Sequence, residues 1–170
     1  SLQDQYDSIW AGAQEAFHAG APALDMQLLD KTGDRRRSAT LLIRPAPAVT
    51  ARVAETLDQL AAMEPGQYYY RPDELHVTVL SLWTGTEEPE PFFAQLATYR
   101  QAIDAALRGA PAFSVCFNGL TASPAAVLVQ GFPSGPQLND LRDRLRAAIS
   151  AVGLGHTLDI LHRGVELAVA

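Results

Sequence analysis

Two stretches of this chain, 86 residues apart, follow one plan, and that plan narrows the fold more than any other feature. Leu41-Leu42-Ile43-Arg44-Pro45-Ala46-Pro47 lines up with Val127-Leu128-Val129-Gln130-Gly131-Phe132-Pro133. Each is a short apolar run closed by proline, which cannot donate to a sheet ladder and so marks a strand end. Carried forward without gaps, the offset sets Asp73-Glu74-Leu75-His76-Val77-Thr78-Val79 against Asp159-Ile160-Leu161-His162-Arg163-Gly164-Val165. Asp, Leu, His and Val agree, and His76 meets His162. Apolar residues at helical spacing lie between: Val53, Leu57, Leu60 and Ala61 in the first copy, Leu138, Leu141, Leu145, Ala148 and Ile149 in the second. Strand, helix, strand, twice over, predicts an α/β (α+β) fold of two pseudo-symmetric lobes with both histidines facing a central groove. The alternative is a chance match in which His162 is a surface or turn histidine.

The remaining pattern fits one domain over residues 1–170, with lobe one at about 38–83 and lobe two at about 112–170. A helix is expected over 3–19, stopped by Gly20 and Pro22. Thr50 is the expected N-cap of the next helix and Glu64-Pro65-Gly66 its end. Trp83 to Pro91 reads as an acidic loop, and 92–107 as one helix. Strands are expected over 112–120 and 125–130, a helix opening near Pro136 and stopping at Gly153, and a final apolar stretch over 164–170. Cys116, flanked by Phe113, Val115 and Phe117, reads as a buried strand thiol that fits a reducing compartment.

Charge excludes some partners. The net charge of −6 and pI near 5.1 argue against broad electrostatic binding to long DNA or RNA. Positive charge is local, in Arg35-Arg36-Arg37 and in Arg142, Arg144 and Arg146, which leaves room for a small phosphorylated ligand. No apolar run approaches the roughly 20 residues of a membrane helix, and no leader opens the chain, so a cytoplasmic location is expected.

The chemistry concentrates at His76-Val77-Thr78. On a strand, alternate side chains share a face, so His76, Thr78 and Leu80 are expected on one side and Val77, Val79 and Ser81 on the other. An imidazole moves protons near neutral pH, and a hydroxyl two residues on can hold an oxygen of the same ligand. The structural alternative is a half-buried strand whose polar groups find partners in the fold. Tyr68, Tyr69 and Tyr70 shortly precede the motif and either stack on a nucleobase or pack the rim. Arg71 or Arg163 is placed to donate to a phosphate or to sit solvated. The four histidines, His18, His76, His156 and His162, have no metal-ligand spacing, so neither metal nor cofactor is expected.

Asp73-Glu74-Leu75-His76-Val77-Thr78-Val79-Leu80, preceded by Leu41-Leu42-Ile43-Arg44-Pro45 and a helix, resembles the two-histidine (2H) phosphoesterases, the superfamily of 2'-5' RNA ligase-like proteins and cyclic phosphodiesterases. The resemblance runs from about Thr40 onward and implies two similar lobes, each bringing one His-x-Thr/Ser motif to a groove. It implies metal-independent acid/base catalysis on 2',3'-cyclic or 2'-5'-linked nucleotide or RNA ends. His76, Thr78 and His162 would be catalytic, with Tyr70, Arg71 and Arg163 contacting substrate. Which histidine is acid and which base stays open. The second motif departs from the pattern: His162-Arg163-Gly164 has glycine where the hydroxyl belongs, and His156-Thr157 has its hydroxyl one place early. A binding module of the same fold, for a nucleotide or a protein partner, is the competing expectation.

Overall fold

The computed structural model describes residues 1–23, 25, 31–158 and 164–169. Helix α1 spans Leu2–His18, capped by Ser1, whose hydroxyl accepts from Asp4 N–H. Strand β1 is Arg37–Ile43 and helix α2 Pro47–Met63. Pro47 takes the first helical position, where its missing N–H costs nothing, so α2 begins before the expected Thr50 cap. Strand β2 runs Val77–Thr86, four residues into the expected loop. The expected single helix at 92–107 is broken into α3, Glu90–Phe93, and α4, Leu96–Leu107. Strands β3, Val115–Ser123, and β4, Ala126–Pro133, form a hairpin that turns at Pro124-Ala125, so Thr121 to Ser123 are strand. Helix α5, Gln137–Ala151, and the short strand β5, Leu167–Ala168, complete the fold.

The five strands among the described residues make one antiparallel sheet in the order β1-β2-β5-β4-β3. This order is symmetric about the β2–β5 seam, with β1 beside β2 as β4 is beside β5. One row of paired residues crosses the sheet: Ile43, Val77, Leu167, Val129 and Leu120. Ile43 and Val129 are equivalent in this row and lie 86 apart, which bears out the repeat for the first strands. Val77 and Leu167 are also equivalent, yet lie 90 apart. The ungapped offset therefore fails at the second strands, because 38 residues separate Val129 from Leu167 and only 34 separate Ile43 from Val77.

The main core lies on the side of this row. Val77, Leu167 and Val129 pack with Val53 and Leu57 of α2, Tyr99, Ala102 and Ala106 of α4, and Leu138, Leu145 and Ile149 of α5. Helix α1 packs on β3 and β4, burying Tyr6 and Ala13 outside that core and touching it through Leu2. The Tyr6 hydroxyl donates to the Gly131 carbonyl at 2.8 Å and accepts from Gly131 N–H at 3.1 Å, while Thr121 Oγ1 donates to the Tyr6 carbonyl at 3.3 Å. A Cβ on residue 131 would run into the Val165 carbonyl, so only glycine permits this approach. Cys116 is exposed on β3, an outer strand, contrary to the expected buried thiol; the half-buried Val115 and Phe117 turn the other way.

Candidate active site

Strand β2 does not alternate as its sequence suggests. Thr78 pairs with Leu42 but Leu80 with Leu41, so Val79 is an extra residue; Leu82 is a second extra residue between Ser81 and Trp83. At each such bulge two successive side chains enter the core, Val79 with Leu80 and Leu82 with Trp83. Leu80 is therefore on the core side instead of beside Thr78, and Ser81, paired with Thr40, joins the face of Thr78 and Leu42.

A bulge also leaves carbonyls without ladder partners, and these are filled by one side chain. Arg142 of α5, fully buried, donates from Nε to the Val79 carbonyl at 3.0 Å and from Nη2 to the Thr78 carbonyl at 2.8 Å. The same Nη2 reaches the Gly164 carbonyl at 2.5 Å, tying β2 to the run into β5. The planar fork of a guanidinium suits several fixed oxygens at once.

His76 sits just before β2, half-buried. Its Nδ1 lies 2.6 Å from the Glu74 carbonyl. A carbonyl only accepts, so Nδ1 carries the proton and Nε2 is the atom left to take or give another. Among the described residues, Nε2 and Thr78 Oγ1 have no hydrogen-bond partner, and neither is a sealed-off atom. The turn ahead is closely held. Glu74 N–H donates to the Arg71 carbonyl at 2.8 Å, and the Glu74 carboxylate accepts from Arg71 N–H at 2.8 Å and from the Tyr68 hydroxyl at 2.9 Å. Arg71 pairs with Asp73 through Nε at 3.1 Å and Nη2 at 3.2 Å, which holds the Asp73 carboxyl below its usual range. Tyr70 is half-buried, edge-on to Tyr68 with ring centres 5.4 Å apart, and its N–H donates to the Val169 carbonyl at 3.0 Å. Tyr69 donates to the Glu64 carbonyl at 2.8 Å.

Register identifies what faces the motif across the seam. With Val77 opposite Leu167, antiparallel pairing sets Ala168 across from His76 and Glu166 across from Thr78. By the sheet's symmetry Glu166 stands where His76 stands in the other half, and Ala168 where Thr78 stands. The Glu166 carboxylate folds over Gly164, where a side chain on residue 164 would displace it, and its Oε2 is shielded from solvent with no hydrogen-bond partner among the described residues. His162 and Arg163 lie outside the described residues. The structure thus brings His76, Thr78, Tyr70 and Arg71 around one end of β2. Ser81, Arg44, Glu74 and Glu166 were not found from sequence; the bulge reveals Ser81, the four-residue difference between the halves Glu166, and the hydrogen bonds of the His76 turn Arg44 and Glu74.

Residues 45–159 match the 2'-5' RNA ligase superfamily, well over half of the chain. The chain belongs to that superfamily. The superfamily is part of the 2H phosphoesterases, and membership indicates a phosphoesterase or RNA ligase-like activity directed at RNA or nucleotide ends. The five-stranded antiparallel sheet with its helices agrees with a 2H phosphoesterase-like fold. No curated protein matches the chain. No helix among the described residues is long and apolar enough to cross a membrane. In this superfamily member the matched segment holds His76, Thr78 and the Arg142 anchor, while α1, β1 and β5 fall outside it.

Proposed function

We propose that this chain hydrolyses 2',3'-cyclic or 2'-5'-linked nucleotide or RNA ends without a metal, with His76 as a proton-transfer group and Thr78 holding a phosphate oxygen. The observation that carries this is the His76 ring: Nδ1 is committed to the Glu74 carbonyl, and Nε2 is unbonded two residues from the unbonded Thr78 hydroxyl. Neutral Nε2 takes a proton from water as its oxygen bonds to phosphorus. The bond from phosphorus to the ribose oxygen breaks, and that oxygen takes a proton. A hydroxyl aimed at the non-bridging oxygens stabilises their growing charge. His162 is the proposed donor of the second proton, with Arg163, Arg71 and Tyr70 as proposed contacts to phosphate and base. For Arg71 this requires exchanging Asp73 for the phosphate.

The test is turnover of a 2',3'-cyclic mononucleotide and a 2'-5'-linked dinucleotide in EDTA. His76→Ala is expected to lower the rate about 10²–10⁴-fold, the usual contribution of such a group. His162→Ala should match that loss if His162 supplies the second proton. Glu166 and Ala168 at the second motif's register favour a second reading, in which the chain binds nucleotide ends without turning them over. Nucleotide binding by the parent chain without hydrolysis would establish that reading and overturn the first.

A further inference from the structure

The Glu74 carbonyl that sets the His76 tautomer is itself held from both sides. Arg44, exposed just past β1, donates from Nη1 to the carbonyl of Asp73 and, at 3.3 Å, to that of Leu75. These are the residues flanking Glu74. Peptide groups are planar, so fixing the carbonyls on either side restricts the orientation of the one between them. The Glu74 side chain adds a second anchor: Tyr68 reaches both carboxylate oxygens, at 2.9 and 3.1 Å, and Arg71 N–H takes Oε2. Neither Arg44 nor Glu74 lends a side-chain atom to the ring; these bonds hold the turn on either side of the carbonyl 2.6 Å from Nδ1.

We propose that Arg44 and the Glu74 carboxylate are positioning residues for His76, keeping the Glu74 carbonyl on Nδ1 and so reserving Nε2 for proton transfer. As a role in catalysis this rests on the proposed function; as a statement about the ring it does not. Free histidine prefers the proton on Nε2, so a ring released from Glu74 changes tautomer.

The experiment is an imidazole ¹⁵N spectrum of the full chain above the histidine titration range, with His76 assigned by its disappearance in His76→Ala. The parent chain is expected to show His76 protonated on Nδ1 alone. Arg44→Met, which keeps the aliphatic stem and loses the donors, is expected to bring in the Nε2–H form. It should lower kcat about 10- to 100-fold, the range for a misplaced group, with KM nearly unchanged. Arg44→Lys restores a donor and is expected to return most of both signals. Tyr68→Phe, acting from the Glu74 side, should shift the same resonances and decides the matter if Arg44→Met does not fold. A parent-like His76 pattern in both Arg44→Met and Tyr68→Phe overturns the proposal. A parent chain without turnover overturns the proposed function instead, and the spectra still decide the positioning.

Discussion

Val77 of β2 lies directly opposite Leu167 of β5, and the two halves of the sheet meet at that pair. Both side chains are buried, at 1% and 0% exposure, in the core shared by α2, α4 and α5. Leu167→Ala is expected to cost about 2–5 kcal/mol, the range for truncating a buried leucine. Urea denaturation measures this; a loss under about 1 kcal/mol would mean the seam relaxes around the cavity.

Arg142 replaces a missing stretch of ladder at the first bulge. Arg142→Met fills much of the volume and orphans the carbonyls of Thr78, Val79 and Gly164. Each buried, unpaired acceptor costs about 1–3 kcal/mol, so a total loss of about 3–9 kcal/mol is expected. Arg142→Lys should recover only part of it, because a point-like ammonium does not span the three oxygens. Equal stability of the Met variant and the parent would exclude this account of the bulge.

Thr78→Val tests the hydroxyl apart from the fold. Thr78 is half-buried and its Oγ1 bonds no described residue, so the stability change is expected within about 0.5 kcal/mol. The turnover rate is expected to fall about 10- to 100-fold, less than for His76→Ala, since one hydrogen bond to a charged oxygen is lost. A rate equal to the parent's would remove Thr78 from the site.

Tyr6 makes the docking of α1 sensitive to alkali. Burial, the largest cause, raises its phenol pKa above the usual range. The neutral phenol's contribution is complete below the unfolded value of about 10 and is lost as pH rises through the higher folded value. Fluorescence of Trp10, on the same helix, is expected to report α1 loosening in that range. Tyr6→Phe should show no such step and should be about 1–3 kcal/mol less stable at neutral pH, because Gly131 loses its partner for both N–H and C=O. A step retained by Tyr6→Phe would assign it to another group.

The register also predicts a gain. Glu166→His with Ala168→Thr puts the second motif at the place symmetry assigns to it. In a His162→Ala background, which lacks the proposed second proton donor, the double variant is expected to hydrolyse a 2',3'-cyclic nucleotide at least about tenfold faster than His162→Ala alone, within the usual reach of one added acid/base group. No gain in a folded double variant would mean that the symmetric position does not reach the phosphate.

The sequence was most legible where local pattern and tertiary need agree. The apolar stripes of α2 and α5 and the equivalent strands β1 and β4 could be read because short apolar runs and helical spacing mark them directly. Leu80 and Ser81 could not, because a bulge adds one residue without any composition signal, and the side chains from there to the second bulge change face. The counterpart of His76 was misaligned with His162 in the ungapped offset for a related reason. A longer connector between the second helix and strand leaves matching letters at one spacing and matching places at another. Arg44 and Arg142 were visible only as charges; what they grip is backbone, and backbone oxygens are the same at every residue.

Strand β5 is two residues long, and the sheet depends on it out of proportion to its length. It lies between β2 and β4, so it is the plank that joins two separate hairpin-like decks. A fragment cut at the limits of family likeness, 45–159, would keep β2, β3 and β4 but lose both β1 and β5. Its remaining strands would have no ladder running from one lobe to the other. Sequence likeness and the folding unit therefore have different borders in this protein, and any fragment made for expression should follow the sheet.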